Sequence, residues 1–187
     1  IWSGTVKIRL SPDGGWKYEE NEMRYPLYPV GGDGQTREQL AETYVYPMIP
    51  SGRLLQYDWS SPGEMEADHL FFYLCFNNLL GMEKDFEGCF APGATAPAAE
   101  VEAAIREYFD VPVEYLRTSQ FYRADGDCYE MIGGCGGGGW QSVLDYAEQD
   151  GVIELAVGSY GPDDQPDHPM HVGRLTVEKK PGGGFLY

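Results

Sequence analysis

The stretch from Pro97 to Ile132, PAAEVEAAIREYFDVPVEYLRTSQFYRADGDCYEMI, changes its hydrophobic period partway along. Up to Phe109 the apolar residues recur at helical spacing, with Val101, Ile105, Tyr108 and Phe109 on one stripe and Glu100, Glu102, Arg106 and Glu107 on the other. Pro97 opens this helix, Asp110 and Pro112 break it, and VPVEYL adds one further turn that seats Val113 and Leu116. Beyond it, residues 128–132 read as a strand. The chain before this stretch is helical and irregular and the chain after it is strand-like, so the core changes character here.

The N-terminal part has mixed signals. Residues 5–10, TVKIRL, alternate apolar and basic side chains as a half-buried strand does, and SPDGG turns the chain back through Trp16 and Tyr18 as a hairpin. Residues 19–35 have no period and are expected to form a loop. Thr36 to Tyr46 reads as a short helix, with Thr36 and Gln39 as a capping box and Pro47 and Pro50 as its end. RLLQYDW, residues 53–59, is either a strand or an extended run that leads Trp59 onto the core. SPGE at Ser61–Glu64 predicts a second helix, with Ser61 as cap, Pro62 in the first position and Gly81 as the stop after Leu80. Its second half, LFFYLCFNNLL, is apolar nearly all round, which predicts burial on more than one side. Residues 82–96 are expected to be a long excursion.

The C-terminal third predicts a meander with strands near 128–132, 142–148, 152–160, 170–179 and 184–187. Asp150-Gly151 between two strand-like runs is the strongest hairpin signal, and Pro181–Gly184 turns the last pair. Residues 140–148 also fit a helical stripe of Trp140, Val143, Leu144 and Ala147.

With 30 acidic and 13 basic side chains, the net charge of −17 repels phosphate backbones and anionic lipid, so nucleic acid is not an expected partner. Nor is direct bilayer insertion, because no run of about 18 apolar residues exists. The start at Ile1 without a Met suggests that a leader, a lipid-attachment segment or another domain has been trimmed away. The four cysteines permit three disulfide pairings, among them the local pairs Cys75 with Cys89 and Cys128 with Cys135. Free buried cysteines are an equal alternative, and the spacings do not match a zinc site.

No motif carries chemistry on its own, and no cofactor is expected. GGCGGGG at Gly133–Gly139 contains G-x-G-x-x-G only because it is nearly all glycine. It lacks the helix and second parallel strand that a dinucleotide site requires. In DDQPDHPMH, the side chains of Asp163, Asp164, Asp167, His168, Met170 and His171 offer metal donors without a ligand spacing, so a solvated loop is expected. His69 cannot be oriented by Asp68, since adjacent helix residues do not face each other. Cys135 with His168 or His171 has no rigid frame for a nucleophile and base. Aromatic rings flanked by carboxylates remain. Trp140, Tyr122, Tyr129 and Tyr160 around the glycine run are the candidate binding residues, suited to a cell-wall glycan or another surface protein.

The segments VEAAIREYFDVPVEYLRTSQFY, DGDCYEMIGGCGGGG and GRLTVEKKPGGGFLY together resemble secreted or lipid-anchored proteins of unknown function from Gram-positive gut anaerobes. The resemblance implies a secreted or surface-anchored setting and an α+β domain, and it carries over no activity. The expected architecture is one domain over 1–187: a hairpin, short helix and irregular segment in 1–60, a helical part in 61–117 and an antiparallel meander in 118–187. Two or three helices would pack on a four- to six-stranded antiparallel sheet. A cone-shaped sheet of the nuclear-transport-factor or cystatin type fits helices first and meander second. The functional expectation is a non-catalytic extracytoplasmic binding or interaction module; the alternatives are a small hydrolase-like pocket enzyme and a structural segment of a larger surface protein.

Overall fold

The computed structural model describes residues 5–10, 16–22, 35–51, 58–85, 87–133, 139–164 and 168–187. The fold is α+β, with short helices and antiparallel sheets. Strands β1 (Thr5–Leu10) and β2 (Trp16–Glu22) form the expected hairpin, Leu10 opposite Trp16, with a register shift between Lys7 and Ile8.

The capping box forms as predicted. Thr36 Oγ1 accepts from the Gln39 amide at 3.2 Å, and Gln39 Oε1 accepts from the Thr36 amide at 2.8 Å. The helix α1 (Arg37–Leu40) then widens into a π turn, Ala41–Val45, and tightens into a 3-10 stretch, Tyr46–Ser51, which runs through Pro47 and Pro50 instead of stopping at them. Opening the ladder just before Pro47 moves aside the carbonyl that its ring would strike in a regular helix.

The second helix starts later and ends earlier than its sequence suggests. Pro62–Glu64 makes only one 3-10 turn, Ser61 makes no side-chain cap, and Glu64 Oε2 instead accepts from the Ser60 amide at 3.0 Å. Met65 is extended, and α2 (Ala67–Phe76) follows with Glu66 as its cap residue. Its end is set by Asn77, whose Nδ2 donates to Tyr73 O at 2.9 Å and to Pro47 O at 2.8 Å, and by Asn78 at φ +49°. Gly81 takes up its positive φ a full turn beyond. The expected many-sided burial is present: Leu70, Phe71, Tyr73, Leu74 and Cys75 are each 1% exposed or less, and α2 is the centre of the core.

The single sheet and the cone are both overturned. Among the described residues there are two separate larger sheets, and neither is closed or curled. In the three-stranded one, β5 (Cys128–Glu130) lies between β3 (Thr95–Pro97) and β4 (Tyr122–Arg123). The segment read as the first strand of the meander therefore pairs backward, with Ala96 opposite Tyr129, and a cone needs one continuous sheet. The four-stranded sheet has the order β6 (Trp140–Gln149), β7 (Val152–Tyr160), β8 (His171–Lys179), β9 (Phe185–Leu186). Residues 140–148 are strand, not helix, with a register shift between Val143 and Asp145. Ile153, Leu155 and Val157 of β7 and Leu175 and Val177 of β8 alternate into the core beneath the helices.

Helix α3 (Ala98–Arg106) buries Val101 and Ile105 as its stripe predicts, but Glu102, expected on the solvent side, is only 5% exposed. Helix α4 (Val113–Leu116) brings Arg117 over it, with Nε donating to Glu102 Oε1 at 2.7 Å.

Candidate binding groove at a sheet edge

The four candidate aromatics fall into two pairs on different sheets. Tyr122 and Tyr129 are neighbours across β4 and β5, ring centroids 5.2 Å apart. Tyr129 is 1% exposed and stacks on Phe71, while the Tyr122 hydroxyl donates to Asp127 at 2.9 Å and the Arg117 guanidinium lies over its ring. Trp140 and Tyr160 are neighbours across β6 and β7, and Tyr160 is 4% exposed. Tyr129 and Tyr160 are packed away, while Tyr122 and Trp140 are half-buried. Of the glycine run, Gly133 lies against the Cys89 backbone and Gly139 takes φ +135°, while residues 134–138, Cys135 among them, lie outside the described residues.

Cys75 and Cys128 both carry free thiols, so neither local disulfide is closed. Burial pushes the Cys75 thiol up to about 11. Among the described residues no group of three or more His, Cys, Asp or Glu gathers to hold a metal. Asp164 closes a local turn by accepting from the Gly161 amide at 2.6 Å, and Asp167 lies outside the described residues. His69 is buried beside Phe72, while Asp68 faces the other way and binds the Ser119 hydroxyl at 2.7 Å and the Gln120 amide at 3.0 Å.

A groove of about 560 Å³ lies between β8 and the segment that leads into the Pro62 turn. One wall carries Asp58, Trp59, Ser60 and Pro62 with Asp110, and the other carries Ser159, His171 and consecutive residues of β8 from Gly173 to Thr176. Lining by consecutive strand residues places the groove along the strand's edge, because a sheet face would show alternate residues only. Local structure holds the first wall in place. Pro62 is buried, and the Tyr115 hydroxyl donates to Met65 O and, at 3.3 Å, to Pro62 O. Burial, with Glu66 and Asp68 nearby, pushes that phenol up to about 12. At the closed end, Tyr187 is pinned by its amide to Tyr108 O at 2.9 Å and by its hydroxyl to Tyr44 O at 2.8 Å.

Among the described residues, the groove offers carboxylates from Asp58, Asp110 and Glu178 and the guanidinium of Arg174, with Trp59 among them. It can bind hydroxyls, amides and cations. A smaller opening of about 310 Å³ lies between α1 and the other sheet edge, lined by Arg37, Glu38, Tyr46 and Trp140, where the Tyr46 hydroxyl donates to Glu38 at 3.0 Å. Sequence reasoning missed the larger groove. Asp110 reads only as a helix breaker and Trp59 only as a core aromatic, and residues 53–57 of the predicted extended run lie outside the described residues.

In comparison with known proteins, no family model matches the chain, and no curated protein and no solved structure matches it either.

Proposed function

We propose that this chain is a non-catalytic binding module, working outside the cytoplasm, that takes its ligand in the groove between β8 and Asp58–Pro62. The observation that carries this reading is the groove itself: about 560 Å³ in which Trp59, Asp58 and Asp110 face an edge strand that carries Glu178. Openings of this size bury ligands or peptide segments, and an aromatic ring among hydrogen-bonding groups suits recognition. The extracytoplasmic setting rests on the resemblance of the C-terminal half. A glycan array and a displayed peptide library test the reading, with Trp59→Ala and Asp110→Asn as groove variants and Arg37→Ala as a control at the opposite edge. The expected result is a ligand bound by the wild type and the control and lost by both groove variants. Binding insensitive to both groove variants, or turnover of the bound compound, overturns it.

A further inference from the structure

We infer that the groove receives an extended, basic protein segment that adds a strand to the free edge of β8. This deepens the groove reading above and depends on it.

Backbone phase carries the argument. The Lys179 amide donates to Gly151 O at 2.8 Å, and the β7–β8 register continues from there through Ile153 with Val177, Leu155 with Leu175 and Val157 with Gly173. In an antiparallel ladder the residues of one such series exchange both hydrogen bonds with the partner, and the residues between them point both groups the other way. Val172, Arg174, Thr176 and Glu178 therefore aim N–H and C=O away from β7. The opposite side of β8 confirms the phase, since Glu178 pairs with Leu186 and the Lys180 amide donates to Gly184 O at 3.0 Å. Strand β9 satisfies that side only at Glu178 and Lys180, and Tyr187 then leaves the ladder for Tyr108. Among the described residues, Val172, Arg174 and Thr176 have no strand on the side away from β7.

These three positions line or flank the groove, and the run from Val172 to Thr176 spans roughly 13 Å at about 3.3 Å per residue. An edge of this length without Pro or a bulge is a template for a further strand. Gly173 leaves room on the inner face: a Cβ there would meet only the His171 ring, at 3.6 Å, so a partner side chain can seat against the strand. Charge selects the partner. Among the described residues, Asp58, Asp110 and Glu178 outweigh Arg174 at the groove, and the chain as a whole carries −17, so the incoming segment presents Lys or Arg.

The test uses a short peptide alternating Lys and Val, its Glu-for-Lys counterpart, and two versions N-methylated at alternate amides in either phase. Binding is followed by calorimetry, and amide hydrogen exchange of the protein by NMR. The Lys peptide is expected to bind, more weakly as salt rises, while the Glu peptide does not. N-methylation in one phase weakens binding roughly tenfold or more, and in the other phase has little effect. The amides of Val172, Arg174 and Thr176 become protected on binding. Thr176→Pro, which removes an N–H that β7 does not use, abolishes binding, whereas Arg174→Glu, with an intact backbone, tightens it several-fold. Binding without phase dependence, or without protection of those amides, overturns the inference. If the Lys peptide fails while another ligand is still lost in Trp59→Ala, strand addition is refuted and the groove reading stands. If every ligand is insensitive to Trp59→Ala and Asp110→Asn, both fall together.

Discussion

The indole of Trp140 lies flat on the phenol ring of Tyr160, 3.7 Å between centroids and 3° between planes. Gly158, two residues before Tyr160 on the same face of β7, makes room for the ring to lie down, since a Cβ at that position would sit 2.8 Å from the Tyr160 hydroxyl. That hydroxyl also accepts from Ser142 Oγ at 3.3 Å, across the strand. Each ring gives one face to the other in this packing, and Trp140 stays half-buried at the rim of the smaller opening.

Gly158→Ala forces the Tyr160 ring off its seat and breaks the stack and the Ser142 bond together. The expected cost is about 1–3 kcal/mol, as for other overpacked sites, while Trp140→Ala loses about 1 kcal/mol or more. Urea denaturation midpoints measure both. The double variant is expected to cost less than the sum of the single ones, because each destroys the same contact.

Glu102 and Arg117 yield an ordering. The Glu102 carboxylate is buried, whereas Arg117 reaches solvent and also approaches Asp127 at 3.3 Å. Removing the arginine leaves a buried charge uncompensated, and neutralising the glutamate does not. Glu102→Gln is expected to cost about 1 kcal/mol, Arg117→Ala clearly more, and Glu102→Gln added to Arg117→Ala to recover part of the loss. Equal costs for the two single variants, from the same denaturation curves, would contradict this account.

What the sequence made legible was local. The Thr36–Gln39 capping box, the buried stripe of α3, and β7 at its full extent from Val152 to Tyr160 each depend on neighbours within a few residues. The three-stranded sheet does not, because Thr95–Pro97 and Tyr122–Arg123 are too short to show alternation and meet Cys128–Glu130 only through the fold. Glu102 was misplaced for a related reason: its stripe is the polar one, and its partner arrives from beyond another helix. The groove was illegible because Asp58, Asp110 and Gly173 come from distant parts of the chain, and because an open strand edge is a property of backbone phase, on which side-chain pattern is silent.

Alkaline pH is expected to unfold the protein early. Burial raises the Cys75 thiol from 9.0 to about 11 and the Tyr115 phenol from 10.0 to about 12, and it also raises Tyr73, Tyr129 and Tyr187. Each of these groups keeps its proton longer folded than unfolded, so the folded state binds more protons and stability falls with rising pH. Their contribution is whole below the unfolded value of 9.0 for the thiol, and it erodes as pH climbs through 11 and 12. Urea midpoints taken at stepped pH should be insensitive to these groups up to about 9 and fall beyond it. Cys75→Ala should delay the first part of the fall, and tyrosinate absorbance should lag behind that of the urea-unfolded chain.

The turn between β6 and β7 separates backbone strain from packing. Asp150 and Gly151 both hold positive φ, +53° and +82°, the geometry of a two-residue turn whose twist matches the strands it joins. Nothing lies within 4 Å of a Cβ added to Gly151, so a substitution there meets open space and acts through the backbone alone. Gly151→Ala is expected to cost about 1 kcal/mol, the penalty of a left-handed conformation for a residue with a Cβ. Asp150→Asn keeps a residue that tolerates this region and is expected to be neutral or slightly stabilising. The loss in Gly151→Ala should appear as faster amide exchange at both ends of the turn, beginning with Gln149 and Val152, before any change in the core amides of Leu155 and Leu175. Uniform acceleration across the sheet would instead mean that the turn is part of the sheet's global cooperative unit, with Gly151 supporting the far edge where β8 is open.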